Sequence, residues 1–195
     1  MGLAKLKTKI GVEDYLTGEK SSDVRHEYIY GEVFAMAGAS LRHNRIVTNI
    51  AYKIDRHLEK SRCETFVESV KLKAGAQTFY YPDVMVDCSE SAQTAYFVEE
   101  PILLVEVTSP STERTDRKEK LAVYRNIPTV REYLIVSQDK ISIEVHRKLE
   151  NGEWQAEIYD ETDAEIRLDS IDYVLPIEEI YRRVDFTAQS DEFPQ

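Results

Sequence analysis

Two short stretches of the chain, 80–88 (YYPDVMVDC) and 101–109 (PILLVEVTS), are apolar runs rich in Val, Ile, Leu and Tyr between polar flanks, the pattern of buried strands. Each carries a carboxylate, and an ionised carboxylate in an apolar strand is costly unless it is paired or binds a metal. Because side chains alternate between faces, Asp83, Met85 and Asp87 share one side of the first strand, and Leu104, Glu106 and Thr108 one side of the second. A turn signal at Ser109-Pro110-Ser111-Thr112 leads into a helix from Asp116 to Tyr124, with Asp116 expected to cap it and Glu119 at the third position. A third strand, 129–137 (TVREYLIVS), follows. Strand, helix and strand at this spacing predict a right-handed βαβ crossover with strands 101–109 and 129–137 parallel. Asp116, Lys120 and Tyr124 then stand at i, i+4 and i+8 on one helical stripe, and Arg117 and Lys118 are left to solvent.

The rest of the pattern predicts a mixed α/β fold. A short helix is expected at 11–17, and a hairpin with arms 26–30 and 32–37 turning at Tyr30-Gly31, with Glu27 on its first arm. A helix from Ser40 to about Lys60 carries the apolar stripe Val47, Ile50, Ala51, Ile54 and Leu58, with His43 in its first turn. Further strands are expected at 63–73, ending at Gly75, and at 140–148, followed by a hairpin turn at Asn151-Gly152 and a strand over 153–159. Pro176 opens a last short helix with glutamates in its first turn. Without repeats or linkers, residues 1–186 read as one domain and 187–195 as a disordered tail; a domain of this size buries roughly 70% of its unfolded surface.

Composition narrows the partners. Cys63 and Cys88 belong to no CxxC pair and form no disulfide framework, so free thiols in a reducing cytoplasm are expected. No zinc-ligand cluster is visible, the start MGLAKLKTKI is too polar for a signal peptide, and no apolar run approaches the ~20 residues of a membrane span. The formal charge of −11 works against binding a polyanion, because DNA affinity depends on neutralising phosphates. The acids concentrate in 150–172 and 185–192, however, and basic residues remain in 42–45 and 113–120, beside the strand carboxylates.

Two carboxylates on neighbouring strands with a lysine behind them are what metal-dependent phosphodiester cleavage needs. The blocks YPDVMV, LLVEVTSPSTERTDRKEKLAVY and REYLIV, preceded by RHEYIYGEVFAMAGASLRHNRI, resemble the Uma-type family of restriction-endonuclease-like proteins within the PD-(D/E)XK nuclease superfamily. The resemblance runs from about Tyr15 to Arg147. It implies a restriction-endonuclease-like core, an antiparallel meander followed by a helix and a parallel strand, with Asp83 and Glu106 as ligands of Mg²⁺ or Mn²⁺. The superfamily's lysine belongs two residues after the second acid, where this chain has Thr108; in the resembling family the following helix supplies it, and Lys120 matches that position. The same pattern marks Glu27 and His43, with Asp116 and Tyr124 on the Lys120 stripe. The chain is therefore expected to be a DNA endonuclease, and a two-fold dimer, since cutting both strands takes two active sites. The competing reading is an inactive nuclease-like module, binding nucleic acid or a protein, that lost its chemistry when Thr108 took the lysine slot.

Overall fold

Pro82 has no N–H to give a sheet ladder, and it divides what reads as a single strand. In the computed structural model, which describes residues 9–90, 94–108 and 115–187, the strand just before Pro82 lies in one sheet and the strand just after it in another. The first sheet has the order β2-β1-β5-β4-β7, from β1 (His26–Ile29), β2 (Glu32–Ala35), β4 (Lys71–Lys73), β5 (Thr78–Tyr80) and β7 (Phe97–Val98). The second has the order β11-β10-β9-β8-β6-β3, from β3 (Glu64–Val67), β6 (Val84–Asp87), β8 (Pro101–Thr108), β9 (Glu132–Ser137), β10 (Ser142–Lys148) and β11 (Trp154–Asp160). The expected 63–73 strand divides in the same way, β3 joining the second sheet and β4 the first, around a turn in which Glu68 has a positive φ of 39°.

Strands β3, β6 and β8 pair antiparallel, and β8 and β9 pair parallel. The crossover between them contains helix α3, a π-helical turn over Asp116–Lys120 continuing as α-helix over Leu121–Tyr124. The mixed α+β class and the βαβ unit are those the sequence predicts. Its Ser109–Thr112 turn lies outside the described residues, as do 188–195 of the expected tail. Helix α1 (Val12–Glu19) precedes the β1–β2 hairpin, whose turn places Tyr30 and Gly31 at positive φ. A hairpin that the sequence pattern did not signal, β12 (Glu165–Leu168) with β13 (Tyr173–Pro176), leads into the short helix α4 (Ile177–Ile180).

The two faces of the six-stranded sheet carry different layers. Val84, Val86, Leu103, Val105 and Val107 pack against helix α2 (Leu41–Leu58), the β12–β13 hairpin and α4. Ile46, Ile50 and Ile54 of α2 are fully buried there, each side chain stabilising the fold by roughly 1.5–3 kcal/mol. On the opposite face Met85, Leu104, Tyr133 and Ile135 pack with Tyr80 and Tyr124. Glu106 shares that second face by alternation, so its carboxylate enters the layer between the sheet and α3.

One expectation fails outright. Glu64 pairs with Asp87 in the β3–β6 ladder, which sets Cys63 and Cys88 opposite each other one step beyond, and the two are joined in a disulfide. Free thiols therefore no longer argue for a reducing compartment. No helix among the described residues is long and apolar enough to cross a membrane.

Candidate functional site

The register of β6 and β8 builds the site. Val84 pairs with Val105, so Asp83, just before β6, stands opposite Glu106. The Val107 N–H donates to Asp83 Oδ2 at 2.6 Å, which leaves Oδ1 facing His43 Nε2 at 3.1 Å. His43 is aimed from α2, where Ser40 is the N-cap and its Oγ accepts from the His43 N–H at 3.0 Å, fixing the first turn. Burial alone would depress the His43 ring, but the hydrogen-bonded Asp83, helped by Glu68 and Asp116, leaves it above its ordinary value.

Glu106 is held from α3. Lys120 Nζ lies 3.0 Å and the Tyr124 hydroxyl 2.8 Å from the same oxygen, Oε1; among the described residues no donor reaches Oε2. Lys120 also lies 3.3 Å from Glu27 on β1 and 3.3 Å from Asp116 one turn back, over the Tyr80 ring at 5.6 Å. The π-helical form of this turn is of a kind found often at functional sites. Asp116 is not the cap residue expected: Thr115 before it is already helical, and Asp116, 2% exposed, turns inward to Lys120. Glu119 accepts instead from the Tyr80 hydroxyl at 3.0 Å. Arg117, expected in solvent, pairs with Glu144 on β10. Arg125 donates to His146 Nδ1 at 2.9 Å on the same strand, and together these contacts clamp α3 to the sheet.

Charge is out of balance at this centre. Glu27, Asp83, Glu106 and Asp116 converge on one lysine and one histidine. Burial raises Glu106 well above the usual carboxylate range, Lys120 opposes that rise, and Asp116, Asp83 and Glu27 add to it. Lys120 is likewise buried, yet Glu106, Glu27 and Asp116 hold it well above its ordinary value, so it stays protonated. The remaining negative charge suits a cation; Glu106 Oε2 is the oxygen the local hydrogen bonds leave open to one, and Asp83 Oδ1 is engaged only by His43. Hard divalent cations take such ligands.

Of the residues singled out in the sequence, Asp83, Glu106, Lys120, Glu27, His43, Asp116 and Tyr124 meet in this cluster. Thr108 does not join it: its hydroxyl is directed at the Val136 carbonyl, 3.5 Å away, within the sheet. The slot two residues after Glu106 is thus filled by a small residue satisfied by backbone, and the positive charge comes from α3. Glu68 was missed. One ligand atom from each of His43, Glu68 and Asp83 lies within 4.8 Å of the other two, but Glu68 sits inside what reads as a continuous strand, with nothing local marking the turn that aims it.

Comparison with known proteins bears on the family and the fold of the chain. A family model named Uma2 and described as "Putative restriction endonuclease" matches residues 12–178. Two uncharacterized proteins of Synechocystis sp. are each 33% identical, one over 180 residues (91% of this chain, 94% of the relative) and one over 145 (72% and 82%). Among solved structures, a crystal structure titled as that of a "putative nuclease belonging to DUF820" from Anabaena variabilis superposes with a TM-score of 0.72. It covers 88% of this chain and 97% of its own at 19% identity, a likeness of fold.

Proposed function

Since the chain belongs to the Uma2 family of restriction-endonuclease-like proteins, we propose that it is a metal-dependent endonuclease that hydrolyses DNA phosphodiester bonds at the Asp83–Glu106–Lys120 cluster. The observation that carries this reading is Lys120, delivered from α3 to within 3.0 Å of Glu106, which supplies the charge that Thr108 lacks. Asp83 and Glu106 would hold Mg²⁺ or Mn²⁺, which supplies an activated water at neutral pH and charge against the phosphate oxygens. Lys120, held in place by Glu27 and Asp116, faces the phosphate as a fixed ammonium needing no reorganisation when charge develops. Tyr124 fixes Glu106 Oε1, and Val107 N–H fixes Asp83 Oδ2, so both carboxylates present one chosen oxygen.

The purified protein is expected to nick supercoiled plasmid with Mg²⁺ or Mn²⁺ and to stop when EDTA is added. Lys120→Ala should keep its fold and lose about 10²–10³ in rate, the usual cost of removing one charge-stabilising group. Asp83→Ala is the dead control. Normal cutting by Lys120→Ala beside a dead Asp83→Ala would refute the lysine assignment alone.

Thr108 and the charge of −11 favour a second reading, an inactive module that binds nucleic acid or a protein. Failure to cut any DNA or RNA while metal binds would select it. Cutting both strands takes two such sites, so we place two chains about a two-fold axis; a strict monomer by light scattering at micromolar concentration would remove the dimer.

A further inference from the structure

His43, Glu68 and Asp83 come from three separate elements, the first turn of α2, the turn between β3 and β4, and the entry to β6. Each is held by contacts besides the carboxylate and imidazole groups themselves. His43 is set by the Ser40 cap, and Asp83 by the Val107 N–H. Glu68 is pinned through its backbone: its N–H donates to the Asp83 carbonyl at 3.2 Å, and its own carbonyl accepts from Arg25 Nη1 at 2.9 Å. Among the described residues no lysine or arginine closes on the Glu68 carboxylate. Glu106, by contrast, already has Lys120 and Tyr124 on one oxygen.

The spacing is that of metal ligands. Donors bound at roughly 2.1–2.2 Å stand about 3.1 Å apart when cis and about 4.3 Å apart when trans. His43 Nε2 and Asp83 Oδ1 are 3.1 Å apart, and all three donor atoms fall within 4.8 Å of one another. Small side-chain rotations close such a set on one ion.

We propose that His43 and Glu68 are ligands, with Asp83, of the divalent cation at this site, and that the imidazole makes the site select transition ions over Mg²⁺. The inference rests on the metal-dependent reading above and adds to it two ligands and a metal class. An all-oxygen set suits Mg²⁺, whereas one imidazole steepens the rise in affinity along the series from Mn²⁺ to Co²⁺ and beyond.

The test uses Co²⁺, whose visible absorption reports its ligands, and needs no DNA. Titration of the full chain, followed by absorption and calorimetry, should show Co²⁺ bound at least tenfold more tightly than Mg²⁺. His43→Ala and Glu68→Gln, checked for fold by circular dichroism, should each weaken Co²⁺ by about 10-fold or more, since even an outer partner of a metal site costs 10–100-fold. The His43 variant should also change the spectrum and leave Mg²⁺ affinity nearly as it was. Glu68→Gln keeps the shape of its turn, so the test stands even if loss of His43 disturbs α2. Unchanged Co²⁺ affinity in both variants would overturn the ligand set, and in Glu68→Gln alone would remove Glu68. Plasmid cutting with an unchanged ligand response would leave the nuclease reading standing without this proposal; Co²⁺ binding through His43 without cutting would do the reverse.

Discussion

Glu106 and Glu132 are both buried glutamates on adjacent parallel strands, 4% and 1% exposed, and their surroundings could hardly differ more. Glu132 accepts from Arg147 Nε at 3.0 Å, from the backbone N–H groups of Asp169 and Ser170 at 3.1 and 2.9 Å, and from the Ser170 hydroxyl. Two donors serve each oxygen, and Glu132 shares its cation, Arg147, with Glu157 and Asp169. The group ties β9 to the 3₁₀ turn Asp169–Ile171 after β12. Glu106 has two donors on a single oxygen and two other carboxylates, Glu27 and Asp116, around the lysine it shares. A buried carboxylate whose oxygens are each met by two donors serves stability; one crowded by other acids and left with an open oxygen is the kind of group that functional sites hold, at a cost in stability they commonly carry.

The largest effect that separates the two is on folding. Glu132→Ala strands the backbone donors of Asp169 and Ser170 while Arg147 keeps Glu157 and the Arg167 carbonyl, so it should lose about 2–3 kcal/mol of stability, the cost of leaving buried donors unsatisfied, read as a lowered urea midpoint. A loss under about 1 kcal/mol would mean that Glu132 is as expendable as a surface charge.

A smaller effect concerns the clamp that holds α3. Arg125 donates to His146 Nδ1, so the ring is neutral with its proton on Nε2, which lies 2.6 Å from Glu144 but makes no hydrogen bond to it. Burial, with Arg125 and Arg117 adding, lowers His146 from 6.5 to about 4. The unfolded chain therefore takes up a proton below about pH 6.5 that the folded one refuses until about pH 4, and stability should fall across that window as pH falls. Part of the network meets solvent, which discounts the effect to about 1 kcal/mol, roughly 2–4 °C in melting temperature for a chain of this size. His146→Gln should melt with a shallower decline between these limits than the parent, and equal slopes would remove His146 as the cause.

The same contrast explains what could be read from sequence. Asp83, Glu106 and the Asp116–Lys120–Tyr124 stripe were legible because strand alternation and helical spacing are local rules, and each left a charge or hydroxyl where an apolar face belonged. Glu68, Glu132 and the Cys63–Cys88 disulfide were not, because their roles depend on which segments lie side by side. Residues 80–88 read as one strand, and only the two-sheet topology shows that the chain divides at Pro82 and carries Asp83 into register with Glu106. The β12–β13 hairpin was illegible for a similar reason: its alternation, Ile166 and Leu168 inward with Glu165 and Arg167 outward, is too short to stand out among acidic neighbours.

The most direct test of the central claim is a single variant measured twice. Glu106→Gln keeps the shape of the side chain and removes the charge that crowds Asp83, Glu27 and Asp116. Its melting temperature should equal or exceed the parent's, while Mn²⁺-dependent plasmid nicking falls to the level of Asp83→Ala. A variant that nicks at the parent's rate with its fold intact would contradict the assignment of this cluster as the hydrolytic site.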